Sequence, residues 1–182
     1  MSNDIITVQD TSDKQRRIAA VLGGFCLFLS TIEYMIPKPL PFMRIGIANL
    51  PLMLALDIFS LQGFALLICI KVLGQALITG TLFSYIFLFS LAGTVASALA
   101  MYLLRRLLGP GLISFIGVGS IGALLSNLSQ IVLAWVFVFG SSARLIMPPF
   151  LAAGLITGIV LGAFCEYFTA RSAWYKAMIR KQ

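Results

Sequence analysis

The sequence predicts an all-α integral membrane bundle of six helices with both termini in the cytoplasm. Three observations carry that expectation. Apolar residues make up 60% of the 182-residue chain and charged residues only 10%, against about 25% charge in ordinary soluble domains. The apolar runs are unbroken and do not alternate, which argues against barrel strands. With a mean hydropathy of +1.02 and ~20 residues per crossing, about six helices and short turns use the available length. No soluble domain of useful size fits beside them.

Taken in order, residues 1–17 form a polar cytoplasmic tail, residues 18–170 the transmembrane domain and residues 171–182 a basic cytoplasmic tail. The first helix is expected from about Ile18 to Ile36, and a proline-rich turn follows. The second is expected from near Ile45 to about Phe59, roughly 22 Å at 1.5 Å per residue, short of a ~30 Å hydrocarbon core. Pro51 inside it should free the carbonyl of Ile47 and kink it. The third spans about Leu61 to Ile78 and turns at Thr79-Gly80-Thr81; the fourth continues to about Leu104. Arg105, Arg106, Gly109, Pro110 and Gly111 make the next loop. The fifth occupies about Ile113 to Phe139, residues 140–149 turn, and the sixth runs from about Phe150 to Thr169. Basic residues set the orientation. Lys14, Arg16, Arg17, Arg105, Arg106, Arg171, Lys176, Arg180 and Lys181 fall on one side, and only Lys38, Arg44 and Arg144 on the other.

The net charge of +7 is not a nucleic-acid signature, because the cations cluster at segment ends where topology demands them. Cys26, Cys69 and Cys165 sit in apolar runs without paired spacing and read as small core residues. The chain has no histidine, which removes triads, histidine-metal sites and the commonest general base. A polar start and no small-residue cleavage site mark the first apolar run as a retained helix.

That topology aims polar groups from several segments at the middle and outer part of the bundle. Lys71 lies near mid-depth, with Gln75 one turn above on the same face. Asn127 and Gln130 share a face of the fifth helix, flanked by Ser126. Arg44 caps the second helix, Asn49 lies one to two turns in, and Glu33 ends the first helix at that level. A mid-membrane lysine costs ~2.5–3.5 kcal/mol on insertion scales and often marks a substrate path. It can equally snorkel, or pair with Glu33 or Asp57 as structural glue. Asn127 and Gln130 fit either a ligand or an interhelical hydrogen bond. Lys38 and Arg44 fit lipid headgroups, or a ligand anion in the case of Arg44. Cations outnumber Glu33 in this set, which favours a substrate bearing carboxylate or phosphate. Paired apolar segments broken by proline often carry a transporter's binding site.

Small residues recur at four-residue spacing: Gly154, Gly158 and Gly162 on the sixth helix, Ala92, Ala96 and Ala100 on the fourth. On the first, Ala19 with Gly23 and Ala20 with Gly24 do the same. Such stripes let backbones approach closely. For the fourth and sixth helices they imply packing within the bundle; on the first, docking of another membrane subunit is the alternative.

The run Glu33-x3-Pro37-x-Pro39, followed by Arg44-Ile45-Gly46-Ile47-Ala48-Asn49-Leu50, resembles the start of the Gx transporter family, whose members are often labelled heptaprenyl diphosphate synthase component I. Gly80-Thr81-x2-Ser84, Phe89-Ser90-Leu91-x-Gly93 and Ser120-Ile121-Gly122-Ala123-x2-Ser126-Asn127-x2-Gln130 are also similar, in order, over roughly residues 20–165. The family pattern carries histidine where this chain has Ser126 and arginine where it has Lys71. The lysine keeps the charge and loses the bidentate fork. The family is similar to the substrate-capture (S) components of energy-coupling factor transporters. That resemblance implies a six-helix bundle binding a vitamin-like or anionic solute near its outer face. A separate transmembrane subunit and two ATPases would drive it, docking partly on Ala19, Ala20, Gly23 and Gly24. No G-x-x-x-x-G-K-[ST] loop is present, so any ATP use belongs to partners.

The expected function is therefore the substrate-binding subunit of a small-molecule transporter in the bacterial cytoplasmic membrane, with no cofactor and no catalytic residues. Glu33, Arg44, Asn49, Lys71, Gln75, Ser126, Asn127 and Gln130 are the expected site. The alternative is a non-catalytic membrane subunit associated with heptaprenyl diphosphate or quinone biosynthesis. Prenyl diphosphate synthases clamp diphosphate through clustered aspartates and Mg²⁺. The six acids here (Asp4, Asp10, Asp13, Glu33, Asp57 and Glu166) are too dispersed in sequence to form that cluster.

Overall fold

The computed structural model describes residues 2–37 and 45–179, with side chains from Gln15 onward. Among the described residues there are seven α-helices: α1 (Ser2–Met35), α2 (Leu50–Ala55), α3 (Leu61–Ile78), α4 (Tyr85–Leu108), α5 (Phe115–Ala134), α6 (Ala143–Arg171) and α7 (Ala173–Ile179). No strand occurs among the described residues. Within α1, Gln15–Met35 is long and apolar enough to cross a membrane, as are α3, α4 and the continuous stretch Phe115–Arg171 that contains α5 and α6. Their outer faces carry large apolar side chains: Phe28, Leu77, Leu103, Val136 and Ile156 are all exposed. Water disfavours a belt of that extent, and hydrocarbon accepts it. The chain is an all-helical membrane bundle.

α2 occupies the middle. All six of its residues are buried, and it packs on α1, α3, α5 and α6. Around it stand two groups: α1 against α3, and the trio α4–α5–α6. The α5–α6 contact is close because glycines remove the side chains between the helices. A Cβ on Gly158 would lie 2.7 Å from the Gly119 carbonyl, and one on Gly162 2.6 Å from that of Phe115. The small-residue stripe of α6 therefore packs within the bundle. On α4 the buried stripe is Gly93, Ser97 and Met101, one position away from the expected alanines, and Ala92, Ala96 and Ala100 are half-buried.

Several boundaries depart from expectation for physical reasons. The second helix does not run from 45 to 59: a 3-10 turn covers Ile47–Asn49 and α-helix covers only Leu50–Ala55. Pro51 stands in the first turn, where its missing N–H costs nothing, so it starts this helix and does not kink it. The Ile47 carbonyl accepts the N–H of Leu50 instead. α4 starts at Tyr85 and continues to Leu108, four residues beyond Leu104, closing on Gly109 at φ 74°. The fifth helix changes to a π-helix at Trp135–Phe139. α6 begins at Ala143 and takes in Pro148 and Pro149, which the sequence reading placed in the preceding turn. The first helix extends through the expected polar tail, and α7 lies in the expected basic tail.

Candidate functional site

The site is organised by Glu33, at the last turn of α1 and only 3% exposed. Its Oε1 accepts the N–H of Gly46 at 3.0 Å, and its Oε2 accepts that of Ala48 at 3.1 Å. A carboxylate on the free N–H groups that open a helix is favourable by charge as well as hydrogen bonding. Gly46 adopts φ 91°, a conformation in which a side chain would be strained. Glu33 thus fixes the entry of the central segment.

That segment places Asn49 beside α3 and α4. Lys71, at mid-length in α3 and 1% exposed, donates from Nζ to Asn49 Oδ1. Asn49 Nδ2 donates to Ser97 Oγ of α4 at 3.5 Å. A small hollow of about 10 Å³ adjoins this chain, lined by Gly46, Asn49, Ser97, Gly119, Thr157 and their neighbours. It has room for about one water molecule.

A second polar pair lies between α4 and α5. Gln130, fully buried, donates from Nε2 to Ser126 Oγ at 3.1 Å. Both press on Gly93, where a Cβ would come within 2.7 Å of Gln130 Nε2 and 2.9 Å of Ser126 Oγ. Gln130 Oε1, Gln75 Oε1 and Ser30 Oγ are buried without a hydrogen-bond partner among the described residues. Each such group costs ~1–3 kcal/mol.

Asn127 separates from this set. Its Nδ2 donates to the Phe150 carbonyl of α6 at 2.7 Å, and Gly154 leaves the space for the amide to reach it. Asn127 and Gln130, expected on one face, serve different neighbours. Lys71, Asn49 and Ser97 are brought together, Ser126 and Gln130 form the adjoining pair, and Gln75 is buried on α3. Lys38 and Arg44 lie outside the described residues. Ala19 and Gly23 are buried, with Gly23 facing Ile70 of α3, whereas Ala20 and Gly24 are exposed, with no neighbour within 4 Å of the Gly24 Cβ position.

Sequence reasoning missed Ser97 and Thr157. Ser90, Thr94 and Ser97, spaced four and three apart and all buried, form a polar stripe along α4 that could have revealed Ser97. It also missed a second centre at the opposite end. Arg105 donates from Nε and Nη2 to the two oxygens of Asp57 at 2.8 and 2.7 Å, and from Nη1 to the Ile113 carbonyl at 2.6 Å. Its guanidinium lies 4.4 Å from the centre of the Phe115 ring. Tyr175 of α7 donates to Asp57 Oδ2 at 3.3 Å. Burial, then the neighbouring Asp57 charge, hold the Tyr175 phenol well above the usual tyrosine range. Asp57 is thus engaged by Arg105 and Tyr175 in this centre.

A family model described as heptaprenyl diphosphate synthase component I matches residues 22–168, most of the chain. Neither a curated protein nor a solved structure matches it.

Proposed function

The chain belongs to the heptaprenyl diphosphate synthase component I family, and from that premise we propose that it is the solute-binding membrane subunit of a small-molecule transporter. The observation that carries this reading is Lys71: a cation buried at mid-helix and bonded to Asn49 at the 3-10 turn that opens the short central helix. Short helical segments within a bundle, with polar side chains around their ends, are the architecture of solute sites in membranes. The cation suits a carboxylate or phosphate on a vitamin-like solute. The adjoining hollow holds about one water, so solute entry requires its walls to move apart. In this reading the chain is a multi-pass protein of the cell membrane with both termini in the cytoplasm, a topology supported by the excess of basic residues, Arg16, Arg17, Arg105, Arg106, Arg171 and Lys176, in the segments assigned to that side. Energy comes from separate transmembrane and ATPase subunits, and Ala20 and Gly24 are the small residues of α1 left exposed for docking. The chain itself catalyses no reaction.

The test is uptake in cells, together with mass spectrometry of the small molecule retained by purified protein. Losing a charge-assisted hydrogen bond, as in Lys71→Met, should lower affinity about tenfold to hundredfold, and Asn49→Ala should act in the same direction. Undiminished uptake and ligand retention in both variants would rule out this site. The family description favours a second reading, a non-catalytic membrane subunit associated with heptaprenyl diphosphate synthesis. Affinity purification separates the two: recovery of ATPases supports the first, and recovery of a soluble prenyl synthase supports the second.

A further inference from the structure

We propose that the basic end of the bundle holds a binding site for the phosphodiester headgroup of an anionic phospholipid. A cavity of about 860 Å³ opens there between the ends of α2, α4 and α6, the start of α5, and α7. That volume lies within the range of ligand pockets, ~300–1,000 Å³. It stands apart from the solute site around Lys71 and does not depend on that reading.

The charges of its wall divide into committed and available groups. Arg105 is neutralised by Asp57, and each of its three nitrogens is engaged, two on that carboxylate and one on the Ile113 carbonyl. It builds the floor, which Tyr175 completes from α7. Arg106 uses Nε on the Tyr102 hydroxyl and Nη2 on the Phe59 carbonyl, both at 3.2 Å, and keeps Nη1 for a ligand. The Lys176 side chain makes no hydrogen bond or ion pair among the described residues, its backbone N–H being donated to the Ser172 carbonyl. Against them stands Glu166, whose Oε2 accepts the N–H of Phe115 at 3.2 Å. With the Arg105–Asp57 pair cancelled, Arg106 and Lys176 exceed Glu166 by one positive charge. A phosphodiester carries one negative charge and would balance the pocket.

The remaining wall supports a lipid over a soluble anion. Leu56, Phe115 and Ile179 line the same cavity, giving apolar surface to the glycerol and the first acyl carbons. α4 and the stretch Phe115–Arg171 that ends with α6 are long and apolar enough to cross a membrane, so their ends lie at the level of the headgroups.

The experiment uses the full chain in detergent, offered equal amounts of phosphatidylglycerol and phosphatidylcholine and read by native mass spectrometry. Phosphatidylglycerol should be retained preferentially. Lys176→Gln and Arg106→Gln should each weaken its retention about fivefold, the worth of one basic side chain at a charged membrane surface. Lys176 is exposed and uninvolved in packing polar groups, so Lys176→Gln stays informative if Arg106→Gln fails to fold. Equal retention of the two lipids, or a preference undiminished in Lys176→Gln, would overturn the proposal. So would glycerol 3-phosphate displacing phosphatidylglycerol at equal concentration, because the site would then be one for soluble anions.

Discussion

Replacing Glu33 tests whether the central segment is held by a single carboxylate. In Glu33→Gln one side-chain oxygen remains to accept an N–H, while the new amide group presents hydrogens to the other. Of its bonds to Gly46 and Ala48, one is lost and a buried donor faces a donor. Hydrogen bonds to a charged group are worth ~1.5–3 kcal/mol, and Glu33 is 3% exposed, so solvent does little to compensate. The favourable charge at the start of the segment disappears as well, a further ~0.3–1 kcal/mol. The expected loss in Glu33→Gln is therefore about 2–4 kcal/mol, and Glu33→Ala, losing both bonds, should cost more.

Amide exchange followed by mass spectrometry reads this locally. At ~1.4 kcal/mol per tenfold, peptides covering residues 45–55 should exchange more than tenfold faster in Glu33→Gln, while those of α5 and α6 change little. Conversely, Glu33→Asp keeps the charge and shortens the reach, so it should fall between wild type and Glu33→Ala. Unchanged exchange over residues 45–55 in Glu33→Gln would refute the idea that this carboxylate organises the site.

Three other outcomes follow from the same geometry. Gly154→Ala should lower thermal stability by about 1–3 kcal/mol, the range for overpacking, because its Cβ occupies the place of the Asn127 amide; in an Asn127→Ala background the same change should cost much less, and equal costs would contradict the contact. Asp57→Asn and Arg105→Gln should each destabilise by about 2–4 kcal/mol, somewhat less than a fully buried pair, since Asp57 is 14% exposed; a double-mutant cycle on thermal melts should give a clearly positive coupling, and additive effects would deny it. Tyr175 has its phenol raised above the ordinary value of 10, so the docking of α7 is fully stabilised below pH 10 and weakens as pH rises beyond it. The protection of α7 amides relative to their intrinsic exchange rate should fall above that pH in wild type, whereas Tyr175→Phe should remove that fall.

The sequence reading succeeded where burial and length alone decide. The limits of α3, Leu61–Ile78, are those of a predominantly apolar run followed by Thr79-Gly80, and Gly80 takes φ 66°. It failed where a distant partner decides. Pro51 read as an interruption because nothing local reveals that the helix starts immediately before it; the start is set by Glu33, 13 and 15 residues upstream of the groups it binds. Pro148 and Pro149 read as a terminator, yet they stand near the beginning of α6, where the carbonyls they leave free are close to the helix end. Lys71 was recognisable as a costly buried cation, and Asn49 as a polar residue in an interrupted segment. Their union was not legible, since it depends on how the central segment sits against α3.

The divergence of Asn127 and Gln130 shows how finely a helix distributes side chains. Residues three apart differ by about 60° around the axis, and residues four apart by about 40° on the other side. Ser126 and Gln130, four apart, meet each other and face α4; Asn127, between the two in sequence, reaches α6. The two ends of the bundle differ in the same terms. At the basic end Arg105 has a partner for each direction of its guanidinium, and the centre serves stability. Toward the opposite end, Ser30, Gln75 and Gln130 keep buried polar atoms without partners among the described residues, at a cost of ~1–3 kcal/mol each. Apolar replacements would remove that cost, and water would satisfy the groups if the helices parted. Under the proposed solute-binding function, the solute would supply partners for these atoms, so Gln130→Leu should raise thermal stability while lowering solute retention. A variant that gains stability with retention intact would instead assign Gln130 to the packing of α4 on α5.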